Sequence, residues 1–272
     1  SYHCVSLTDV YWVKKSDEDI SYEKINLYDY SLNEAVVELS LHGKPMTVTN
    51  QELAPDLSTK GCFPKAWIRR GKDFILLKDG GDNAVQKELL ASRLCQCFDF
   101  KQVKYDEGFY DGQKVTQSKI ITSRQYSIVS KMAYEIYALN HDLNVLNECL
   151  RIDKETYYGM NILDYLVGNI DRHPENWGFL VDNRTNEYVS LYPIMDFNQS
   201  FGSYDTIDGA NCQTVYPEKK TQREAAIEAV RHVGMHQIKD IDEEIFEDMT
   251  VWKEMFFRRL EELKNAVDTS VF

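Results

Sequence analysis

An apolar helical pattern, Glu155 to Val167, runs straight into the polar stretch GNIDRHPENW and out again into the apolar runs GFLV and LYPIMDF. Few folds accommodate this. A polar cluster held between two core elements faces a cleft more often than it decorates a turn. Asp171, His173 and Asn176 share the one loop, and Asp196 ends the second apolar run. Taken singly, each has an ordinary reading: Asp171 capping a turn, Asn176 satisfying backbone groups, Asp196 sitting in a turn. Together they offer a carboxylate at the start of a loop and hard oxygen ligands at its end and beyond it. That set suits phosphoryl transfer, which needs a carboxylate beside the attacking hydroxyl and oxygen ligands for magnesium, and little further covalent help.

The chain ahead of this stretch reads as strand-rich. A strand is expected at Val10 to Lys14, and a second apolar run at Glu34 to Leu41 is compatible with either helix or strand. The segment STKGCFPKAWIRRGKDFILLK, Ser58 to Lys78, gives two β-like runs around the turn Arg70 to Asp73. Lys78 ends a buried strand, where its ammonium could reach nucleotide phosphates, although a solvated lysine fits the same place. The loop from Ser58 to Lys65 carries a single glycine, Gly61, and its basic residues are compatible with a phosphate cradle without requiring one. Asn83 is expected to begin an amphipathic helix with Val85, Leu89, Leu90, Leu94 and Phe98 on one face. Glu88 borders that face and could pair with Lys78, or serve only as a boundary glutamate. Two further strands are expected at Gln102 to Glu107 and Lys114 to Thr122.

Past Ser123 the periodicity becomes helical, with helices expected at Ile128 to Leu139, Leu143 to Leu150 and Glu155 to Val167. This predicts a boundary near Thr122 to Tyr126, where exposed backbone at Thr122 and Ser123 could bond an adenine. The expected organisation is α+β and two-lobed, residues 1–123 forming a β-rich ATP-binding lobe and 124–272 a helical catalytic lobe. The loop after Ser200 reads as a substrate-facing or plain surface segment, and helices are expected at Thr221 to Val233 and Asp242 to Val267. His232 and His236 are four apart, but no glutamate follows the first as a zinc helix requires.

The net charge of −13 disfavours direct nucleic-acid binding, which needs clustered Lys and Arg. No apolar run is long enough to cross a membrane, and the start SYHCVSLTDVYW has no basic region followed by an apolar one. The six cysteines form no C-x-x-C pair. These features predict a soluble, cytoplasmic protein with reduced thiols.

With these residues in view, NIDRHPENWGF followed by PIMDFNQSF resembles the catalytic region of HipA-like kinases, bacterial serine/threonine kinases of protein-kinase-like fold. The order Asp-x-His-x-x-Asn carries the resemblance. The segments SLTDVYW, TKGCFPKAWI, FILLK and KELLASRL extend it over most of the chain. It implies ATP and Mg2+ as cofactors, Asp171 as catalytic base, Asn176 and Asp196 as magnesium ligands, and Lys78 against the ATP phosphates. It also implies that His173 braces the loop and that Ser58 to Lys65 occupies the place of the family's phosphate-binding loop. Ser58 and Thr59 are candidates there for autophosphorylation. The resemblance implies a protein substrate with a Ser or Thr acceptor, and a toxin–antitoxin setting with an antitoxin-like partner. Two departures stand out. Asp196-Phe197-Asn198 has no glycine, which argues against a flipping switch, and the chain is shorter than the best-known toxins, with their extra N-terminal subdomain expected to be missing. Two rival readings are a small-molecule or lipid-headgroup kinase on the same fold, and a pseudokinase that holds nucleotide or a partner without turnover.

Overall fold

The computed structural model describes residues 3–29 and 65–268. After a one-turn helix α1 (Tyr22–Ile25), the strands β1 (Lys65–Arg70) and β2 (Asp73–Lys78) form the expected hairpin. With β3 (Asp106–Tyr110) and β4 (Gln113–Lys119) they build an antiparallel sheet of order β1-β2-β4-β3. Register places Ala66 opposite Leu77, and these two with Val115 make a buried cluster on one face. The turn between β3 and β4 uses Asp111 and Gly112, both at positive φ, a conformation that asparagine-like side chains and glycine tolerate.

Helix α2 (Gly81–Cys95) starts two residues before the expected Asn83, because Asp79 Oδ1 accepts the Gly81 N–H at 3.0 Å and closes a turn ahead of it. Three expectations change. Val10 to Lys14 forms no strand: Tyr11 and Val13 are exposed, and among the described residues the Val13 backbone pairs with His3 alone, through bonds of 3.0 Å. Gln102 makes a single bridge to Ile194 rather than starting a strand. Ile128 to Ser130, expected to open the helix Ile128 to Leu139, instead belong to strand β5 (Tyr126–Ser130), and α3 (Lys131–Asn140) follows it with the Ser130 side chain capping Ala133 N–H. The run Glu34 to Leu41 lies outside the described residues.

The two helices expected at Leu143 to Leu150 and Glu155 to Val167 are one element, α4 (Val145–Val167), kinked at Asp153, whose φ of −158° is not helical. Asp153 Oδ1 caps Thr156 N–H across the kink and its Oδ2 accepts Leu191 N–H. Every residue from Thr156 to Val167 is buried, the polar Thr156, Asn161 and Asp164 along with the apolar majority. α4 stops at Gly168, left-handed at φ 62°, whose N–H returns to the Asp164 and Tyr165 carbonyls. A Cβ there would also sit 3.1 Å from Arg259 Nη1 and Met255 Sδ. The positive φ favours glycine at the point where the polar loop begins, and the close side chains leave little room for a larger residue.

Strands β6 (Gly178–Asp182) and β7 (Glu187–Leu191) complete a second sheet of order β5-β6-β7. Helix α5 (Gln222–Val233) and, after a 3-10 turn at Glu243–Phe246, helix α6 (Thr250–Asp268) pack on α4. The single helix expected from Asp242 is broken at Glu247, which has positive φ. By packing, the chain divides into two compact units. One holds the described residues up to Val85, Tyr105–Ile128 and Leu180–Glu187; the other holds Gln86–Lys104, Val129–Phe179 and the described residues from Tyr188 on. The first is strand-rich and the second mainly helical. No described helix is long and apolar enough to cross a membrane.

Candidate active site

The polar loop belongs to the second unit, and a buried ion pair sets its shape. Asp164 is the one charged residue in the buried stretch Thr156 to Val167. Arg172 meets it with a two-pronged contact, Nε to Oδ2 and Nη2 to Oδ1, both 2.8 Å, with each side chain under 7% exposed. The guanidinium fork matches the carboxylate, so the pair fixes an orientation as well as a distance. Its remaining nitrogen donates to the carbonyls of Met195 and Asn176. One arginine thus ties the helix, the loop and the residue before Asp196 together.

Asn169 makes the second tie. Its amide nitrogen donates to Asp164 Oδ1 at 2.9 Å and to the Asp196 carbonyl at 3.4 Å, while its Oδ1 accepts the Asp171 N–H at 3.3 Å. Asn176 Nδ2 donates to the Asp171 carbonyl at 2.9 Å. The peptide groups on both sides of Asp171 are therefore held, and its half-buried carboxylate takes part in none of these bonds. His173 Nδ1 accepts the Glu175 N–H at 3.2 Å, which places the ring proton on Nε2 and makes the ring part of the loop's turn. The buried Tyr192 phenol, pushed up by desolvation and so neutral, donates to the Glu175 carbonyl.

Asp196 is buried and sits at φ 64°, an uncommon conformation for a residue with a side chain and one found often at functional sites. The segment behind it is pinned along α4's end: Phe201 N–H to Val167 O, Gly202 N–H to Gly168 O, and Ile170 N–H to Gln199 O. The donor set fits a magnesium ion. With Nδ2 committed to Asp171, Asn176 presents Oδ1, an acceptor, and Asp196 offers a carboxylate; neither is a soft ligand. Among the described residues no three His, Cys, Asp or Glu side chains converge on one point.

The other candidates stand elsewhere in the chain. Lys78 is 5% exposed at the end of β2, its ammonium 4.9 Å over the Tyr105 ring and 3.5 Å from that phenol oxygen. Burial of this lysine answers the choice between a solvated and an inward-facing residue. Lys65 lies opposite it in register. Thr122 is buried and donates to the Leu7 carbonyl, and Ser123 is engaged with Gln125 and Tyr126, so both side chains hold the connecting segment. Glu88 is buried on α2 but groups with the second unit, whereas Lys78 groups with the first. Ser58, Thr59 and Gly61 lie outside the described residues. His232 stacks on Tyr158, and His236 faces Glu155 and Phe100, so they do not form a metal pair. Asp164, Asn169 and Arg172 were not singled out from sequence. The signal available was a lone charge inside an apolar helix and an arginine eight residues on.

No family model matches the chain. In sequence it is 27% identical over 148 residues to the serine/threonine-protein kinase CtkA of Helicobacter pylori, an alignment covering 49% of this chain and 45% of that protein. The chain thus spans about half the length of the curated relative it matches. Among solved structures it resembles the H. pylori proinflammatory kinase CtkA, with TM-score 0.56 at 18% identity over 76% of this chain and 94% of that one. It also resembles a chain of the Shewanella oneidensis MR-1 toxin–antitoxin complex of HipA, HipB and operator DNA, with TM-score 0.52 at 13% identity over 95% of this chain and 77% of that one. The fold is α+β and kinase-like. In sequence the chain is thus similar to the kinase CtkA, and in fold to both CtkA and HipA.

Proposed function

We propose that this chain is an ATP- and magnesium-dependent kinase that transfers the γ-phosphate to a Ser or Thr hydroxyl of a protein, with autophosphorylation as a second outlet. The observation that carries the reading is the Asn169 amide, bonded at once to the Asp171 N–H and the Asp196 carbonyl. One side chain thereby sets the spacing between a carboxylate and a metal-ligand segment, the two parts phosphoryl transfer needs in fixed relation. Asp171 orients the acceptor hydroxyl and takes its proton. Asn176 Oδ1 and the Asp196 carboxylate would hold magnesium, which when bound neutralises charge on the phosphates. Lys78, buried at the end of β2, contacts the phosphates as a point charge. In this reading residues 1–123 serve as the nucleotide lobe and 124–272 as the catalytic lobe. The resemblance to a HipA structure solved with HipB supports an antitoxin-type protein partner.

Incubation with labelled ATP and magnesium tests this. Wild type is expected to label itself or an added protein, and Asp171→Asn to lose about 100-fold or more of the rate, the usual range for a general base. Equal labelling by both removes Asp171 from the role. Thermal stabilisation by ATP with no transfer to any acceptor would turn the reading to a nucleotide-holding pseudokinase.

A further inference from the structure

The buried glutamine that opens α5 is used by none of the chemistry above. Gln222 is 5% exposed, and its side chain reaches three separate pieces of chain. Its Oε1 accepts the Ala210 N–H at 3.0 Å and the Ser203 hydroxyl at 3.4 Å, while its Nε2 donates to the Asn169 carbonyl. Its own N–H donates to the Ala210 carbonyl at 2.8 Å. A primary amide carries its acceptor and its donors on separate atoms, so one side chain can serve the Ala210 N–H and the Asn169 carbonyl at once. The surroundings are cut to fit: Gly209 is left-handed, and a Cβ there would lie 2.6 Å from Gln222 Oε1.

Two details connect this clamp to the reacting groups. The carbonyl that Gln222 holds belongs to Asn169, whose side chain in turn positions Asp171 and Asp196. The segment it gathers, Ser203 to Ala210, continues to Gln213, whose Nε2 donates to the Ile170 carbonyl at 2.9 Å, one residue before Asp171. A residue that merely filled the core would touch neither end of this path.

Resting on the kinase reading, we infer that Gln222 is a positioning residue that couples the segment following Asp196 to the base-bearing loop, and that it acts on phosphate transfer rather than on nucleotide binding. Its loss lets the Asn169 peptide rotate, which moves Asp171 relative to the acceptor hydroxyl while leaving Lys78 and its strand as they are.

The experiment compares wild type, Gln222→Met and Gln222→Glu in the labelled-ATP assay, measuring kcat and the KM for ATP together with thermal unfolding. Gln222→Met removes both arms at nearly constant volume. Gln222→Glu keeps the acceptor and replaces the donor with an oxygen facing the Asn169 carbonyl. The inference expects kcat to fall about tenfold or more in each, the cost of one lost charge-orienting contact, with KM for ATP within about twofold, a change too small to signal lost binding. An unchanged kcat in an active background overturns it. So does a fall in which kcat, KM and thermal stability decline together, which marks Gln222 as structural only. If Gln222→Met does not fold, Gln222→Glu carries the same criteria, and failure of both to fold also overturns the inference. A wild type that transfers no label defeats the kinase reading itself, an outcome distinct from all of these.

Discussion

Two fully buried arginines hold the two halves of the candidate site, and they do so by opposite means. Arg172, under the Asp171 loop, is matched to a carboxylate, Asp164, by two bonds of 2.8 Å. Arg259, on α6, has no carboxylate within ion-pair reach among the described residues. Its guanidinium donates to the carbonyls of Tyr165, Ser203 and Thr206 and lies 4.9 Å over the Tyr165 ring. Desolvation lowers its pKa to about 10, so it is still charged near neutrality. Arg172 neutralises an anion that the helix core could not otherwise hold. Arg259 satisfies carbonyls at the negative end of α4 and in the segment after Asp196, where dipoles take the place of a counter-charge. Removing the first strands a charge, while removing the second strands only dipoles.

The largest effect should therefore come from Arg172→Met, which leaves Asp164 buried without a counter-charge, only the neutral Asn169 amide still bonded to it, at a cost of about 3–5 kcal/mol. Urea unfolding at neutral pH measures it. Adding Asp164→Leu should return much of that stability, because the stranded anion disappears, yet phosphate transfer should stay lost because Met195 and Asn176 no longer share an anchor. A single variant that loses under about 1 kcal/mol would show that the pair is solvated in solution and contributes no more than a surface bridge.

That pair also marks how far the sequence could be read. The strand-rich start, the helical remainder and the Asp171, Asn176 and Asp196 constellation follow from periodicity and spacing, which are local. Asp164 meeting Arg172 is not local, since whether a lone helical carboxylate faces a partner or water depends on how the loop folds back. Val10 to Lys14 shows the converse: its run of β-branched and aromatic residues suits a strand, but among the described residues no neighbour supplies a row of hydrogen bonds, and side-chain preference without a partner does not make a sheet. The kink at Asp153 was hidden for a similar reason, its side chain being fixed by Leu191 from a distant strand.

Arg259→Met should cost less than Arg172→Met, about 1–3 kcal/mol, because three carbonyls lose donors but no charge is left behind. The sign of its pH dependence sharpens the contrast. Arg259 has a depressed pKa in the folded state, so the penalty for burying its charge is present below that value and is relieved as pH rises through about 10. The gap between wild type and Arg259→Met should widen over that rise. A loss equal to that of Arg172→Met, or a gap that narrows with alkali, would mean that Arg259 also answers a buried anion.

The smallest effect belongs to the start of α5, where the tie is exposed. Thr221 and Glu224 form a reciprocal cap: Thr221 Oγ1 accepts the Glu224 N–H at 3.2 Å, and Glu224 Oε2 accepts the Thr221 N–H at 2.8 Å. Thr221→Ala should cost about 1 kcal/mol, as N-cap losses usually do, and Thr221→Ser should cost little because it keeps the hydroxyl. The Thr221 N–H, and then its hydroxyl, hold the Glu224 carboxyl below its ordinary value, so the cap's contribution is present above the unfolded-state value and lost as pH falls. The difference between wild type and Thr221→Ala should accordingly be level above pH 4.5, the ordinary glutamate value, and shrink below it. Gln222 follows directly in the chain, which makes the comparison a strict one: a frayed α5 start should lower stability slightly without lowering kcat as Gln222→Met does. If Thr221→Ala reduces transfer as strongly as Gln222→Met, the buried amide is not the part that couples the segment to the loop, and the helix terminus as a whole is.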